Sequence, residues 1–371
     1  MRWNLVIYSK EIQGSLITIE PKQFKDEKRW GKQQRIWKIL EIVVKLKNWI
    51  NWNVIYLPQE GLENQDLEMS EFMQTSEQLV PSHENLDLDA NVKLTHTQNK
   101  AMTNYGGDIS IITGSSKCVV IFHGYSDTPF EYKHVADEIS MTIGADVIVP
   151  VLPHHGIDTN ELLKANRAEA HEWGVQVLTG VRSRYEKLIV IGHSMGSGIA
   201  IYALLHGVII DGLILTSVNG VPSKKVRFGL FATNMLHIQS FKTVFKSLRY
   251  HDFEPAFIDW KLKHFPRIWF NVFREAIETL SSYIKSIERI TVPVMIILGA
   301  KDFAANVTRT SELYFTNIKS TKKTLLIVEN TGHAVFFSPY FSQIMQQINI
   351  FIQDVLENGN NGGMLKRLKI F

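Results

Sequence analysis

From about residue 110 onward, short and almost wholly apolar runs recur along the chain, with amphipathic stretches between them. The runs are Cys118 to Phe122, Asp146 to Val151, Leu188 to Ile191, Gly212 to Thr216, Val292 to Leu298 and Thr324 to Val328. Runs this short, rich in Val, Ile and Leu, are the pattern of strands buried on both faces. Residues 131–144, 161–183, 197–205 and 338–356 carry a helical period, the first of them stopping at Gly144. Upstream, residues 109–122 predict a strand, a turn at Gly114-Ser115-Ser116 and a second strand. Alternation of this kind predicts an α/β fold: a mostly parallel sheet with helices on both faces.

The rhythm breaks between Asn219 and Ile290. About 70 residues, mostly helical in pattern and rich in Phe and Trp, separate two sheet strands. A crossover needs only a dozen or so, so the surplus predicts a helical cap, or lid, over the strand ends. The aromatic side chains suit an apolar, acyl-like substrate, although packing the cap's own small core accounts for most of them. Counting 221–290, the cap carries twelve Lys plus Arg against six Asp plus Glu.

The first hundred residues follow no such alternation. Residues 2–8 and 15–19 are short apolar runs that could pair as a hairpin. Residues 28–57 combine Lys28, Arg29, Lys32, Arg35, Lys38, Lys45 and Lys47 with Trp37, Ile39, Leu40, Val43 and Trp49. This is a basic amphipathic helix, which either packs on the folded body or lies on a membrane surface. From Asn48 to Val92 there is no Lys or Arg but nine acids, the composition of an exposed linker. At the other end, Asn358 to Gly363 reads as a hinge, and Met364 to Phe371 as a basic, apolar tail and second candidate surface anchor. The expected domains are therefore 1–100 as an N-terminal extension, 101–220 with 291–357 as the core, 221–290 as the cap and 358–371 as a flexible tail.

Candidate chemistry gathers at the ends of the strands. Leu188 to Ile191 runs into Gly192-His193-Ser194-Met195-Gly196, and a helix rich in small residues follows. Strand, G-x-S-x-G, helix is the setting of a nucleophile elbow, a turn so tight that side chains two residues before and after the serine would collide. The pentapeptide alone arises by chance in roughly one chain of this length in ten, so its partners must decide. A serine hydroxyl needs a base, and the base an orienting acid, in the chain order Ser, Asp or Glu, His. Asp302 lies just past the run ending at Leu298, and His333 just past the run ending at Val328. Glu329, Asp127 and Asp158 compete with Asp302, but none follows the appropriate strand. Sites in open α/β sheets form at the carboxyl ends of strands, so Ser194, Asp302 and His333 should converge. The N–H groups of Met195 and Tyr125, the latter in His123-Gly124-Tyr125 after the Phe122 strand, should form the oxyanion hole. His193 is expected to support the elbow and His123 to brace the oxyanion loop.

Residues from about 116 to 356 resemble the α/β-hydrolase fold superfamily, and within it the carboxylesterase, monoacylglycerol lipase and lysophospholipase group. The matching pieces are Phe122 to Pro129, Gly192 to Gly196, Leu298 to Asp302 and Thr331-Gly332-His333. Pro153-His154-His155-Gly156 stands where that group has a Gly-His-Gly loop, with proline in place of the first glycine. The resemblance implies an α/β-hydrolase fold and a lipid-like ester as substrate: a monoacylglycerol, a lysophospholipid or a medium-chain ester.

Composition changes this picture little. A net charge of +3 does not argue for nucleic acid as a partner. The one cysteine, Cys118, lies in a strand and reads as a core residue, which fits a reducing, cytoplasmic setting. The first residues hold too short an apolar stretch for a signal peptide, and no window is apolar enough to span a bilayer. The thirteen histidines show no metal spacing, so neither metal nor cofactor is expected. The expected activity is serine-dependent hydrolysis of a carboxylic ester, with peripheral membrane contact through residues 28–57 and the tail. Fold and triad alone leave open a peptidase of the prolyl aminopeptidase kind, an acyltransferase, or a non-catalytic membrane-associated binding protein.

Overall fold

A computed structural model describes residues 105–218, 220–235, 240–242, 253–269, 273–275, 283, 285–361, 363 and 365–370. The hairpin, basic helix and acidic linker expected before residue 100 lie outside the described residues. The strands are β1 (Ile109–Ile111), β2 (Lys117–Phe122), β3 (Asp146–Val149), β4 (Lys187–His193), β5 (Gly212–Thr216), β6 (Ser240–Lys242), β7 (Arg267–Trp269), β8 (Val294–Gly299), β9 (Lys323–Val328) and β10 (Leu365–Ile370). The helices are α1 (Lys133–Ile143), α2 (Thr159–Leu162), α3 (Arg167–Arg182), α4 (Met195–Leu205), α5 (Lys224–Met235), α6 (Pro255–His264), α7 (Val307–Asn317) and α8 (Phe341–Asn358).

Eight strands form one sheet in the order β1-β3-β2-β4-β5-β8-β9-β10, parallel throughout except for β1, which runs against β3. The apolar runs are continuous because both faces are covered. Along β2, Val120 and Phe122 enter a layer with Trp173 of α3 and Ile199 of α4. Val119 and Ile121 enter the opposite layer with Ile139 of α1 and Ile348 of α8. Burying an aliphatic side chain of this size contributes about 1.5–3 kcal/mol, so the two layers fix the register of every central strand.

This sheet has a switch point. From β2 the chain moves outward to β3, then returns to place β4 on the other side of β2. The loops after β2 and β4 therefore leave neighbouring strand ends in opposite directions and open a crevice between them. The loops after β8 and β9 leave the same edge, since all these strands are parallel.

The strand, turn and strand expected over 109–122 are present, and β1 pairs with β3, where Asp146 accepts hydrogen bonds from the Thr113 and Ser115 N–H groups at 2.8 and 3.2 Å. Three details depart from the sequence reading. The helix expected over 161–183 is broken, because Asn166 caps a new helix by accepting from Glu169 N–H. The stretch between β5 and β8 is not wholly helical: beside α5 and α6 it contains the antiparallel pair β6–β7. The tail expected over 358–371 is not a free end. Residues Leu365–Ile370 form β10, in register with Lys323–Val328, and Leu368 and Ile370 pack on the core. The Arg367 guanidinium lies 4.6 Å from the Phe315 ring centre. The basic and apolar residues that suggested a surface anchor belong to an edge strand, one side of which, Lys366, Leu368 and Ile370, is half-buried while Leu365, Arg367 and Lys369 are exposed.

Candidate active site

Ser194 stands between β4 and α4 with φ 50° and ψ −112°, a conformation rare for any residue with a side chain. The glycines around it are dictated by space. A Cβ on Gly192 would lie 2.5 Å from Ser197 Cα, and one on Gly196 2.1 Å from the Phe122 carbonyl oxygen. The strained turn is held by Ser194 N–H donating to the Thr216 carbonyl at 2.9 Å, and by the Ser197 hydroxyl donating to the Gly192 carbonyl at 2.7 Å.

The loops after β8 and β9 bring two further side chains to this serine. His333 Nε2 lies 2.8 Å from Ser194 Oγ, and His333 Nδ1 lies 2.8 Å from Asp302 Oδ2. The other oxygen of Asp302 accepts from the N–H groups of Ala304 and Ala305 at 2.7 and 3.3 Å. The Asp302 carboxyl is held below the usual carboxylate range: burial pushes it up, but the His333 ring and these two N–H groups outweigh burial. Burial pulls the His333 pKa down, yet the Asp302 carboxylate more than offsets it and leaves the value above that of an ordinary histidine. With Asp302 ionised, Nδ1 carries the proton and Nε2 is free to accept one from Ser194. The two loops are tied together by Lys301 N–H donating to the Thr331 carbonyl at 2.8 Å, and the Ser217 hydroxyl donates to the His333 carbonyl.

Met195 is the first residue of α4, where N–H groups have no intrahelical acceptor. Tyr125 follows Gly124 in the loop after β2. That loop is braced from three sides. His123 Nδ1 donates to the Gly124 carbonyl at 2.9 Å, while its Nε2 accepts from Leu152 N–H at 3.1 Å. Burial keeps this ring neutral by pulling its pKa well down. Asp127 Oδ2 accepts from Gly124 N–H at 3.1 Å and from the Tyr132 hydroxyl at 2.8 Å. Lys261 of α6 reaches in from the inserted segment and donates to the Ser126 carbonyl and to Glu131. The structure thus brings Ser194, His333 and Asp302 into one hydrogen-bonded line, with Met195 at the start of α4 and Tyr125 on the loop after β2. Glu329 is instead paired with Lys369 at 3.7 Å, Asp127 serves the loop after β2 and Asp158 caps α2. His193 donates or accepts at Thr216 Oγ1, 2.9 Å away, and burial lowers its pKa to about 3.

Sequence reasoning missed Lys261, Glu131 and Ser217. Glu131 had a legible signal, since Thr128 and Glu131 stand at the spacing of a capping box, and the Thr128 N–H does donate to Glu131 at 2.7 Å. Lys261 had none: it is one of several lysines in a helical stretch. Among the described residues no three His, Cys, Asp or Glu side chains come together as a metal cage, and no helix is long and apolar enough to cross a membrane.

The alpha/beta hydrolase family model matches residues 119–341, well over half of the chain. This chain belongs to the alpha/beta hydrolase family. No curated protein matches the sequence of this hydrolase. Among solved structures, it is similar to one described under the metagenome-derived lipolytic enzymes LipS and LipT, with a TM-score of 0.58 and 18% identity over 68% of this chain and 98% of that one. A soluble variant of the Saccharomyces cerevisiae monoglyceride lipase gives 0.56 at 15% identity, over 67% and 90% of the two chains. The Paleococcus ferrophilus monoacylglycerol lipase gives 0.52 at 18% identity, over 67% and 98%. At these identities the likeness establishes the fold that this hydrolase shares with them.

Proposed function

We propose that the protein is a serine-dependent carboxylic ester hydrolase acting on a lipid-like ester, such as a monoacylglycerol or lysophospholipid. The observation that carries the reading is the unbroken line from Ser194 Oγ through His333 to Asp302, at 2.8 Å for each link. Ser194 Oγ forms a bond to the acyl carbon while His333 Nε2 takes its proton. The negative charge that develops on the carbonyl oxygen is met by the N–H groups of Tyr125 and Met195. Collapse of this intermediate breaks the bond to the alcohol oxygen, which leaves with the proton from His333. Water then attacks the acyl-enzyme with His333 again as base, and the acid is released. Asp302 fixes the imidazole tautomer and stabilises its charged form throughout.

A lipid-like substrate is supported by the lipolytic enzymes and monoacylglycerol lipases among the similar solved structures; the aromatic side chains Phe253, Phe257 and Trp260 pack with Phe130 into a small core, the Phe130 and Phe257 ring centres 4.7 Å apart. The reading includes a cytoplasmic setting and peripheral contact of residues 28–57 with a lipid surface. Its support there is the basic amphipathic pattern of the sequence.

Labelling with a fluorophosphonate probe tests the nucleophile: Ser194 should be modified, and an unmodified serine would remove the reading. A panel of p-nitrophenyl esters of increasing chain length, run with and without anionic vesicles, tests the substrate class and the lipid contact. Preference for the shortest ester alone, with no effect of vesicles, would count against both.

A further inference from the structure

The first residue past β5 is a serine in a conformation that serine rarely adopts. Ser217 is fully buried and has φ 49°, close to the 50° of Ser194 itself. A side-chain-bearing residue stays in such a conformation only where its surroundings over-determine it. Two hydrogen bonds do so here. Its N–H donates to the Ile297 carbonyl of β8 at 2.8 Å, and its hydroxyl donates to the carbonyl of His333.

The residue before it completes a pattern. The Thr216 carbonyl accepts from Ser194 N–H at 2.9 Å, and the Thr216 hydroxyl lies 2.9 Å from His193 Nδ1. Two consecutive residues at the end of β5 therefore hold the backbones of the nucleophile and of its base. Ser194 and His333 reach the site from β4 and β9, strands that do not pair with each other. The His333 carbonyl also accepts from Val335 N–H at 3.1 Å, but that donor belongs to the same loop and moves with it. Ser217 stands on the sheet, beside the residue that holds Ser194.

The base has two tasks in the proposed reaction: to take the proton of Ser194 and to pass it to the departing alcohol oxygen. Its ring can do both only if its backbone stays in place, and a misplacement of about 1 Å can cost roughly 100-fold in rate. We infer that Ser217 is a positioning residue for this reaction. By pinning the His333 carbonyl to the strand end that also holds Ser194 N–H, it sets the 2.8 Å separation of Nε2 and Oγ, and its positive φ is retained for that hydrogen bond. The inference rests on the ester-hydrolase reading and adds to it a residue that acts through His333.

The test uses two variants of the full chain. Ser217→Ala removes the hydroxyl and keeps a Cβ at the positive φ, whereas Ser217→Gly removes the hydroxyl and relieves the strain. Hydrolysis of p-nitrophenyl butanoate gives kcat and KM separately, fluorophosphonate labelling gives the reactivity of Ser194, and thermal unfolding gives Tm. Both variants should lose roughly 10- to 100-fold in kcat and in labelling rate, with KM changed by less than about twofold. Ser217→Gly should melt above Ser217→Ala and yet be labelled no faster. A merely structural role would make activity follow stability, so that the glycine variant recovers the wild-type rate; that recovery overturns the inference. So does a kcat within about twofold of the wild type in either variant, or a loss confined to KM. If Ser217→Ala fails to fold, the glycine variant decides by the same criteria. A wild type that neither hydrolyses the ester nor takes the label defeats the ester-hydrolase reading itself, and the inference with it.

Discussion

The Lys261 ammonium and the Glu131 carboxylate meet at 2.8 Å with both side chains out of water. Lys261 lies on α6, between β5 and β8 in the chain, and Glu131 lies just after the loop that carries Tyr125. The same ammonium donates to the Ser126 carbonyl within that loop and sits 4.8 Å from the Phe265 ring centre. The inserted segment is thus fastened to the loop expected to bind the oxyanion. Burial raises the Glu131 pKa to about 7 against the pull of Lys261, so much of the pair's Coulomb energy offsets desolvation.

Lys261→Met should leave Glu131 buried without its cation. The expected loss is about 3–5 kcal/mol of stability, read by urea or thermal unfolding. Adding Glu131→Gln should recover part of it, because the remaining group is uncharged. Independent, additive effects of the two substitutions would refute the coupling.

The backbone of Ser194 is strained for the sake of its hydroxyl. Ser194→Gly should relieve the positive φ and stabilise the fold by about 1 kcal/mol, a rise in Tm of about 2–4 °C. It should also cut esterase kcat by at least about 10⁴-fold. A variant that melts lower than the wild type would argue against strain at this turn.

Activity should fall on the acid side as His333 gains a proton on Nε2. Since Asp302 holds the His333 pKa above the ordinary histidine value, the midpoint of kcat/KM should lie above that value as well. Asp302→Asn removes the charge and should move the midpoint down while lowering kcat. In stability the sign is opposite. A raised folded-state pKa contributes stability below the unfolded histidine value, and this is lost as pH rises through the folded one. A midpoint unmoved by Asp302→Asn would place the titration elsewhere.

A chain ending at Asn358 would lose β10 and bare the edge of β9. It should melt at lower temperature and associate through that edge, as read by light scattering. An unchanged Tm and a monodisperse protein would show β10 to be dispensable.

The sequence by itself determined the central strands of the sheet, β2 to β5, β8 and β9, and the chemistry at their ends. Runs such as Leu188 to Ile191 are apolar at every position, which only a doubly covered strand tolerates, and Gly192 and Gly196 have no room for a Cβ in the turn that follows. The parallel direction of those strands already required Ser194, Asp302 and His333 to sit at one edge. Tertiary structure alone decided what reaches that edge from elsewhere. Lys261 looks like a solvated helical lysine until α6 lays it against Glu131. Ser217 looks like the end of a strand until its hydroxyl meets the His333 carbonyl. Residues Leu365–Ile370 look like a loose end until β9 offers a row of unpaired backbone groups. In each case the deciding interaction joins segments far apart in the chain, and hydrophobic period and composition report only on neighbours along it.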